Sequence, residues 1–184
     1  MAQEFVSRAG AKLKCALENF EIDVKDLICA DFGCSTGGFT DCLLKNGAAK
    51  VYSIDAGYGV LDWKLRNDPR VVVMERTNAL HVELPEKVDF ICIDVGWTRQ
   101  KLILPAAKRF LKTGGQIVSL LKTHYEAEKA WLVKGKVKEE FLAPTVEKVR
   151  ADLSDLNIQI KDIIKSPITG KQGDNVEYLM LLTD

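Results

Sequence analysis

The sequence is poor in the residues from which metal sites and disulfide frameworks are built. Its two histidines, His81 and His124, share no ligand spacing. The five cysteines are odd in number, and no pair is spaced as CxxC. Cys29 and Cys92 lie inside apolar runs, where cysteine behaves as a small hydrophobe. We therefore predict reduced thiols in a cytoplasmic protein, with no metal site.

Long apolar runs and an excess of either charge are also missing. No stretch approaches the ~18 apolar residues of a membrane span, and we expect neither a signal peptide nor a membrane-active helix. Lysine plus arginine and aspartate plus glutamate number 26 each, so the formal net charge is zero. A strongly basic nucleic-acid binder is thereby excluded, and any RNA contact needs a local patch or a partner.

The most informative stretch that is present covers residues 27–41, LICADFGCSTGGFTD. An apolar run, 27–30, is followed by Asp31, a turn with three glycines, and a segment that can be helical. This order predicts a buried strand, a glycine-rich turn and a helix start, where a ligand can approach the backbone closely. By itself, an ordinary tight turn explains the pattern equally well.

Strand and helix patterns alternate along most of the 184 residues, which suit one domain. We predict helices at 7–20, 39–46, 100–112 and 144–156, and strands at 27–30, 51–55, 71–74, 88–93, 116–121, 158–164 and 175–182. Ser7 is the expected cap of the first helix, and 123–138 is an expected loop.

The inner strands are continuous apolar runs, which is typical of a parallel sheet covered on both faces. No helix separates the last two strands, so we expect them to form an antiparallel hairpin. The predicted fold is a three-layer α/β/α domain with a mostly parallel seven-stranded sheet and one antiparallel strand.

Polar side chains stand at the carboxyl ends of five predicted strands, where open α/β sheets bind ligands. These residues are Asp31, Asp55, Asn78, Asp94 and Lys122. Any one alone is explained as a satisfied polar residue, but together they predict a polar crevice. Asp55 also follows the first glycine of the turn by about 22 residues, close to the offset of a ribose-binding acid.

Two further charged residues are less clear from the pattern. Glu177 shares a strand face with Leu179 and Leu181, so its carboxylate needs a cationic partner. Lys122 can be that partner if the reversed strand lies beside the fifth strand, although a plain buried salt bridge fits as well. Lys12 lies beside the apolar stripe of the first helix, and we predict that it is solvated.

The segment Asp31–Thr40 resembles the S-adenosylmethionine motif of the FtsJ-like methyltransferases, and more closely that of the TlyA branch. That branch comprises ribosomal RNA 2'-O-methyltransferases, some of them labelled hemolysins. Further stretches that match its motifs are 7–13, 55–59, 65–71, 75–78, 166–170 and 175–177. The resemblance covers nearly the whole chain.

The resemblance implies a Rossmann-like methyltransferase fold over residues 1–184, with S-adenosylmethionine as cofactor. It places a Lys-Asp-Lys-Glu catalytic tetrad on Lys12, Asp94, Lys122 and Glu177. The cofactor-binding residues that we infer are Asp31, Gly33, Ser35, Gly37, Gly38, Phe39, Asp55, Asn78 and Asp94. Lys122 would contact the ribose hydroxyl, and the sequence leaves open whether it acts as a base or as an orienting donor.

The implied partner is RNA, with ribosomal RNA or a ribosomal subunit expected and the oligomeric state open. Candidate base-stacking residues are Trp97, Tyr125 and Trp131, and candidate phosphate contacts are Lys129, Lys134, Lys136 and Lys138. Ordinary packing explains the three aromatic residues equally well. Alternatives are an S-adenosylmethionine-binding RNA or assembly module with little catalysis, and a methyltransferase for a small molecule or protein.

The sequence departs from the branch's usual pattern in three respects. Gly96 and Trp97 follow Asp94-Val95 where Ser is usual after Asp-Val, and Lys122 is followed by Thr-His-Tyr-Glu rather than Pro-Gln-Phe-Glu. The small RNA-binding domain that usually precedes the methyltransferase domain is not part of these residues. The substrate is therefore the property that the sequence specifies least.

Overall fold

A computed structural model describes residues 4–169 and 175–183. The helices are α1 (Ala9–Asn19), α2 (Gly38–Lys45), α3 (Trp63–Arg66), α4 (Gln100–Lys108), α5 (Thr123–Glu126) and α6 (Leu142–Ser154). The strands are β1 (Ile28–Phe32), β2 (Lys50–Ile54), β3 (Val71–Met74), β4 (Val88–Ile93), β5 (Leu111–Lys122), β6 (Leu132–Val133), β7 (Lys136–Val137), β8 (Ile160–Lys165) and β9 (Glu177–Thr183). The predicted turn residues Gly170 and Gly173 lie outside the described part.

Seven strands form one sheet in the order β3-β2-β1-β4-β5-β9-β8. All neighbouring pairs are parallel except those that β9 makes with β5 and β8. The predicted seven-stranded sheet with one reversed strand is therefore confirmed, and that strand lies beside β5. The strand order reverses between β1 and β4, and a crevice at this point is the expected ligand site.

Apolar layers cover both faces of the sheet, as predicted. On one face α1 and α2 bury Leu13, Leu17 and Leu43 against the sheet. On the other face α4 and α6 bury Ile103 and Val149. The strand β9 shows the two-residue period: Leu179 and Leu181 belong to the first layer, and Met180 and Leu182 to the second.

The boundary between α4 and β5 differs from the prediction. Helix α4 ends at Lys108 and β5 begins at Leu111, so Gly114 and Gly115, a pair that ordinarily signals a turn, lie within the strand. The register between β4 and β5 shifts here, because Val88 is paired with Leu111 and Phe90 with Gln116. A Cβ atom on Gly115 would lie 2.8 Å from the Asp89 carbonyl oxygen, so glycine here permits the close approach of β4 rather than a chain reversal.

The predicted loop 123–138 is instead built from short regular elements. Helix α5 is followed by a 3-10 turn, Lys129–Trp131, and by the antiparallel pair β6 and β7. The two turn residues between these strands, Lys134 and Gly135, both have positive φ (50° and 79°), as a tight hairpin requires. Elements of two to four residues are too short to show a period in the sequence.

The start of α1 also differs from the prediction. Arg8 occupies the N-cap position, no side chain caps the helix, and Ser7 contributes its backbone carbonyl to the Gly10 N–H. The prediction that the Ser7 side chain caps the helix was wrong.

None of the helices in the described ranges has the length and apolar character needed to cross a membrane.

Candidate active site

A pocket of about 720 Å³ opens at the carboxyl ends of β1, β2, β4 and β5. This volume lies in the range of small-molecule and cofactor sites. Nine of the predicted site residues line it: Lys12, Gly33, Ser35, Phe39, Asp55, Asn78, Asp94, Lys122 and Glu177. The sheet thus brings together residues that are far apart in the chain, and the polar crevice predicted from the strand ends is present.

The glycine-rich turn forms one wall of the pocket. The amides of Gly33 and Cys34 donate to the Ile54 carbonyl at 2.8 and 3.0 Å, which ties the turn to the end of β2. Gly33 has a φ of +87°, and a Cβ atom there would lie 2.7 Å from the Asp94 carbonyl oxygen. Glycine is therefore required here both for the conformation and for the contact with the end of β4.

The other two glycines of the turn do not line the pocket. A Cβ atom on Gly37 would lie 2.3 Å from a methyl carbon of Leu65, and one on Gly38 would lie 2.3 Å from the Ser7 hydroxyl oxygen. These glycines let neighbouring segments pack closely against the turn. Cofactor contact by Gly37 and Gly38 stays a prediction.

Asp31 lies fully buried beneath the turn rather than in the pocket wall. Its Oδ2 accepts from the Thr40 amide at 2.9 Å and from the Thr40 hydroxyl at 2.7 Å, while its Oδ1 has no hydrogen-bond partner among the described residues. Burial, with a smaller contribution from the charge of Asp94, raises the pKa of Asp31 from its ordinary 3.8 to about 7. Through these two bonds, Asp31 holds the start of α2 against β1.

The Asp55 carboxylate is hydrogen-bonded to two turns. Its carboxylate accepts from the Ser35 amide at 2.8 Å and from the Gly57 amide at 2.7 Å. A carboxylate has about four acceptor sites, so both oxygens can still accept from ligand hydroxyls. Asn78 lies on the same side of the pocket, with its side-chain oxygen accepting from the Leu80 amide at 3.0 Å.

Four charged residues meet at one end of the pocket as two ion pairs. Lys12 pairs with Glu177, and both side chains are buried. Lys122 Nζ lies 2.6 Å from Asp94 Oδ1 and donates to the Val95 carbonyl at 3.1 Å. The prediction that Lys12 is solvated was wrong.

The sheet register brings the two ion pairs together. Lys122 and Glu177 face each other directly in the antiparallel β5–β9 pair, so their side chains stand on the same face of the sheet. Each cation already has a carboxylate partner, which lowers the cost of placing four charges in one site.

An aromatic cluster is formed by residues that closely follow Asp94 and Lys122 in the chain. Trp97 is 86% exposed, and its ring centroid is 5.4 Å from that of Tyr125. Tyr125 is in turn 4.0 Å from His124, whose pKa is lowered by partial burial and by the charge of Lys122. Trp131 differs, because its ring stacks on Phe141 at 5.2 Å and is occupied by packing.

Sequence reasoning missed several lining residues. Ser7 and Arg8 belong to the matched motif 7–13 but were not assigned to the site, and Thr77, Val95 and Thr98 flank predicted strand-end residues. Extending each strand end by a few residues would have found the last three.

The loop that carries Val95 and Trp97 is anchored by buried Glu126, which accepts from the Gln100 amide at 2.7 Å.

A mostly parallel sheet with a reversed strand, and a pocket at its switch point, define the class of Rossmann-like methyltransferases. A solved S-adenosylmethionine-dependent methyltransferase from Mesorhizobium loti shares this fold at 16% identity, with a TM-score of 0.69 over 95% of this chain and 98% of its own. Within this class the match is specific: the FtsJ-like methyltransferase family covers residues 5–183. The chain belongs to that family.

Two nearer comparisons agree with this assignment. The 16S/23S rRNA (cytidine-2'-O)-methyltransferase TlyA of Mycobacterium tuberculosis is 41% identical over 97% of this chain and 68% of its own length. A solved structure from Streptococcus thermophilus is 40% identical and has a TM-score of 0.94, covering all of this chain and 68% of its own. The chain spans about two thirds of the length of the curated relatives that it matches.

Proposed function

We propose that this protein transfers a methyl group from S-adenosylmethionine to a ribose 2'-hydroxyl of RNA, with ribosomal RNA as the substrate. The observation that carries the proposal is the pair of ion pairs, Lys12–Glu177 and Lys122–Asp94, in one wall of the pocket. This is the tetrad that the resemblance to the TlyA branch implies, assembled from four separate segments of the chain. A cytoplasmic location follows from such a substrate.

The pocket suits the proposed cofactor on three counts. Gly33 lies in the pocket wall and has no side chain, so a ligand can approach its backbone closely. A larger residue would not fit, because a Cβ atom there would collide with the Asp94 carbonyl. Asp55 offers acceptor positions suited to ribose hydroxyls, and Asn78 lies beyond it on the side where an adenine edge would lie. Bound there, S-adenosylmethionine supplies an electrophilic methyl group on a positively charged sulfur.

The charged residues can then position and activate the acceptor. A ribose hydroxyl is a poor nucleophile at neutral pH, so it must be held in line with the methyl carbon and helped to lose its proton. Holding the two reactants in line is worth ~7 kcal/mol or more. Lys122 Nζ donates to the Val95 carbonyl and forms an ion pair with Asp94, which leaves at least one of the three N–H bonds of an ammonium for the acceptor oxygen.

This arrangement favours an orienting role for Lys122. As a hydrogen-bond donor it would fix the hydroxyl oxygen and stabilise the negative charge that develops on it. The O–CH₃ bond would form as the S–CH₃ bond breaks, and the hydroxyl proton would pass to water at the open side of the pocket. Lys12, paired with Glu177, would hold the β9 side of the site in place.

An RNA acceptor is supported by the open side of the site. Trp97, three residues after Asp94 in the chain, presents a largely exposed ring that is suited to stacking on a base. The M. tuberculosis relative acts, by its name, on the cytidine 2'-oxygen of 16S and 23S rRNA.

The direct test is product analysis. The purified chain is incubated with methyl-labelled S-adenosylmethionine and with 16S and 23S rRNA transcripts, and the RNA is digested to nucleosides. We expect the label in 2'-O-methylated nucleosides. Label in base-methylated nucleosides, or transfer to protein or small molecules with none to RNA, would overturn the proposal.

A further inference from the structure

A small basic hairpin follows helix α5 in the chain. We define the basic hairpin as residues 129–138, which comprise the 3-10 turn and the strands β6 and β7. Its lysines, Lys129, Lys134, Lys136 and Lys138, are all exposed. In the part of the chain that the structure describes, the one salt bridge that they form joins Lys138 to Glu140 at 3.9 Å. In a chain with no net charge, this segment carries four lysines and no acidic residue, with exposed glutamates at 128, 139 and 140 beside it.

The basic hairpin is fastened to the strand that carries Glu177. Buried Asn175 accepts from the Val137 amide at 3.1 Å and donates to the Gly135 carbonyl at 3.0 Å. These two bonds hold the turn and strand β7 of the hairpin. Glu177 follows Asn175 by two residues, so their Cα atoms are at most ~7 Å apart.

A second bond fixes the other side of this connection. Thr123, which follows Lys122, donates its hydroxyl hydrogen to the Val176 carbonyl at 2.8 Å. The basic hairpin is therefore connected to the site in two ways. Along the chain it follows Lys122 through α5, and through hydrogen bonds it is attached to Asn175, two residues before Glu177. The lysines are held at a set position relative to the Lys122–Glu177 pair.

We infer that the basic hairpin binds the phosphate backbone of the acceptor RNA, and that Asn175 is the positioning residue that holds it beside the catalytic groups. The inference rests on the proposed function, since it requires an RNA substrate. Contacts to phosphate set the register of a protein on a nucleic acid without reading its sequence. A hairpin that is already fixed loses less conformational freedom on binding than a mobile lysine-rich loop would.

The first test removes charge from the turn of the hairpin. The double variant Lys134→Gln/Lys136→Gln alters two exposed side chains and none of the Asn175 bonds. We expect the KM for 23S rRNA transcript to rise about 5- to 10-fold with kcat unchanged. The slope of log KM against log salt should fall in magnitude by about 1.5–2, because two phosphate contacts are lost.

The matched control is Lys25→Gln/Lys87→Gln. Both lysines are exposed and lie in loops at the opposite end of the sheet, before β1 and β4. The same charge is removed, so a general electrostatic effect would appear in both double variants. The inference requires the change in salt slope to be confined to the hairpin variant.

The second test addresses the positioning role of Asn175. Asn175→Ala leaves the buried Val137 amide without its acceptor, and we expect faster hydrogen exchange at residues 132–137 together with a raised KM for RNA. In the Lys134→Gln/Lys136→Gln background, the same substitution should add little to KM, because the lysines that it positions are gone. Asn175→Asp keeps the acceptor and should restore much of the exchange protection.

The outcomes separate this inference from the proposed function. If the unaltered chain methylates no RNA, the proposed function fails and the inference fails with it. If RNA is methylated but the hairpin variant keeps its KM and salt slope, the inference alone is overturned. Additive effects of the Asn175 and lysine substitutions on KM would overturn the positioning role.

Discussion

Two buried carboxylates, Glu177 and Asp31, differ in how the free-energy cost of burying a negative charge is offset. Glu177 has the ammonium group of Lys12 as its partner, whereas Asp31 has only amide and hydroxyl donors from Thr40 among the described residues. The consequence is that Asp31 has a pKa raised to about 7, so part of its population is protonated at neutral pH. The two residues therefore predict different responses to pH and to substitution.

The raised pKa of Asp31 makes stability depend on pH. The folded-state pKa, about 7, exceeds the ordinary value of 3.8, so the native state favours the protonated acid. The contribution is complete below about pH 4 and is lost as pH rises towards 7. This loss should be absent in Asp31→Asn. The difference in free energy of unfolding, variant minus wild type, should therefore increase by roughly a few kcal/mol between pH 4 and pH 7. Urea unfolding at several pH values measures this, and parallel curves for the two proteins would contradict it.

Breaking the Lys12–Glu177 pair should be costly. Lys12→Met leaves a buried carboxylate without its cation, and we expect a loss of about 3–5 kcal/mol in the free energy of unfolding. The double variant Lys12→Met/Glu177→Leu removes both charges and should recover most of that stability while remaining inactive. Urea unfolding and methyl transfer measure the two effects. A loss below about 1 kcal/mol in the single variant would show that the pair is not buried as described.

At the scale of elements, the glycine-rich turn and its neighbours were the most predictable part of the molecule. Apolar runs with a charged residue at the carboxyl end specify the strands around the turn, and Gly47, with a φ of +88°, follows α2 as a typical C-terminal glycine. The elements directly after Lys122 were not predictable, because α5, β6 and β7 are too short for a period. The start of β5 was misplaced because Gly114 and Gly115, ordinarily a turn signal, lie within the strand where its register with β4 shifts.

The turn itself can be tested at Gly33. Gly33→Ala should destabilise the protein by about 2–4 kcal/mol and weaken cofactor binding, because the new Cβ atom is strained at positive φ and displaces the end of β4. Gly114→Ala is the matched control, since its φ is +78° but no atom lies within 4 Å of the new Cβ. That variant should lose only about 1 kcal/mol and keep its affinity for S-adenosylmethionine. Equal effects of the two substitutions, measured by urea unfolding and calorimetric titration, would argue against a site at Gly33.

At the scale of the whole molecule, the seven-stranded sheet with one reversed strand could be predicted, but the complete site could not. Placing the reversed strand beside β5 was enough to bring Glu177 near Lys122, as found in the β5–β9 register. Lys12 gave no such signal, because its partner lies 165 residues away and α1 shows only where its apolar stripe runs. The resemblance to a family placed Lys12 in the tetrad, and the packing of α1 on the sheet explains why it lies there.

The same limit applies to the substrate side. The exposure of Trp97 and the fastening of the basic hairpin by Asn175 depend on contacts between distant segments. The sequence shows that residues 129–138 are rich in lysine, and only the fold shows how this segment is held relative to the site.

The central claim is that Lys122 takes part in methyl transfer rather than in holding the cofactor. The most direct measurement is the single-turnover rate of methyl transfer to 23S rRNA transcript by Lys122→Met at saturating S-adenosylmethionine. Lys112→Met is the control, since Lys112 lies on the same strand and pairs with Asp89 at 2.8 Å, far from the pocket. We predict a rate about 10²–10⁴-fold below wild type for Lys122→Met, with cofactor affinity preserved, and a nearly unchanged rate for Lys112→Met. A wild-type rate in Lys122→Met would contradict the account.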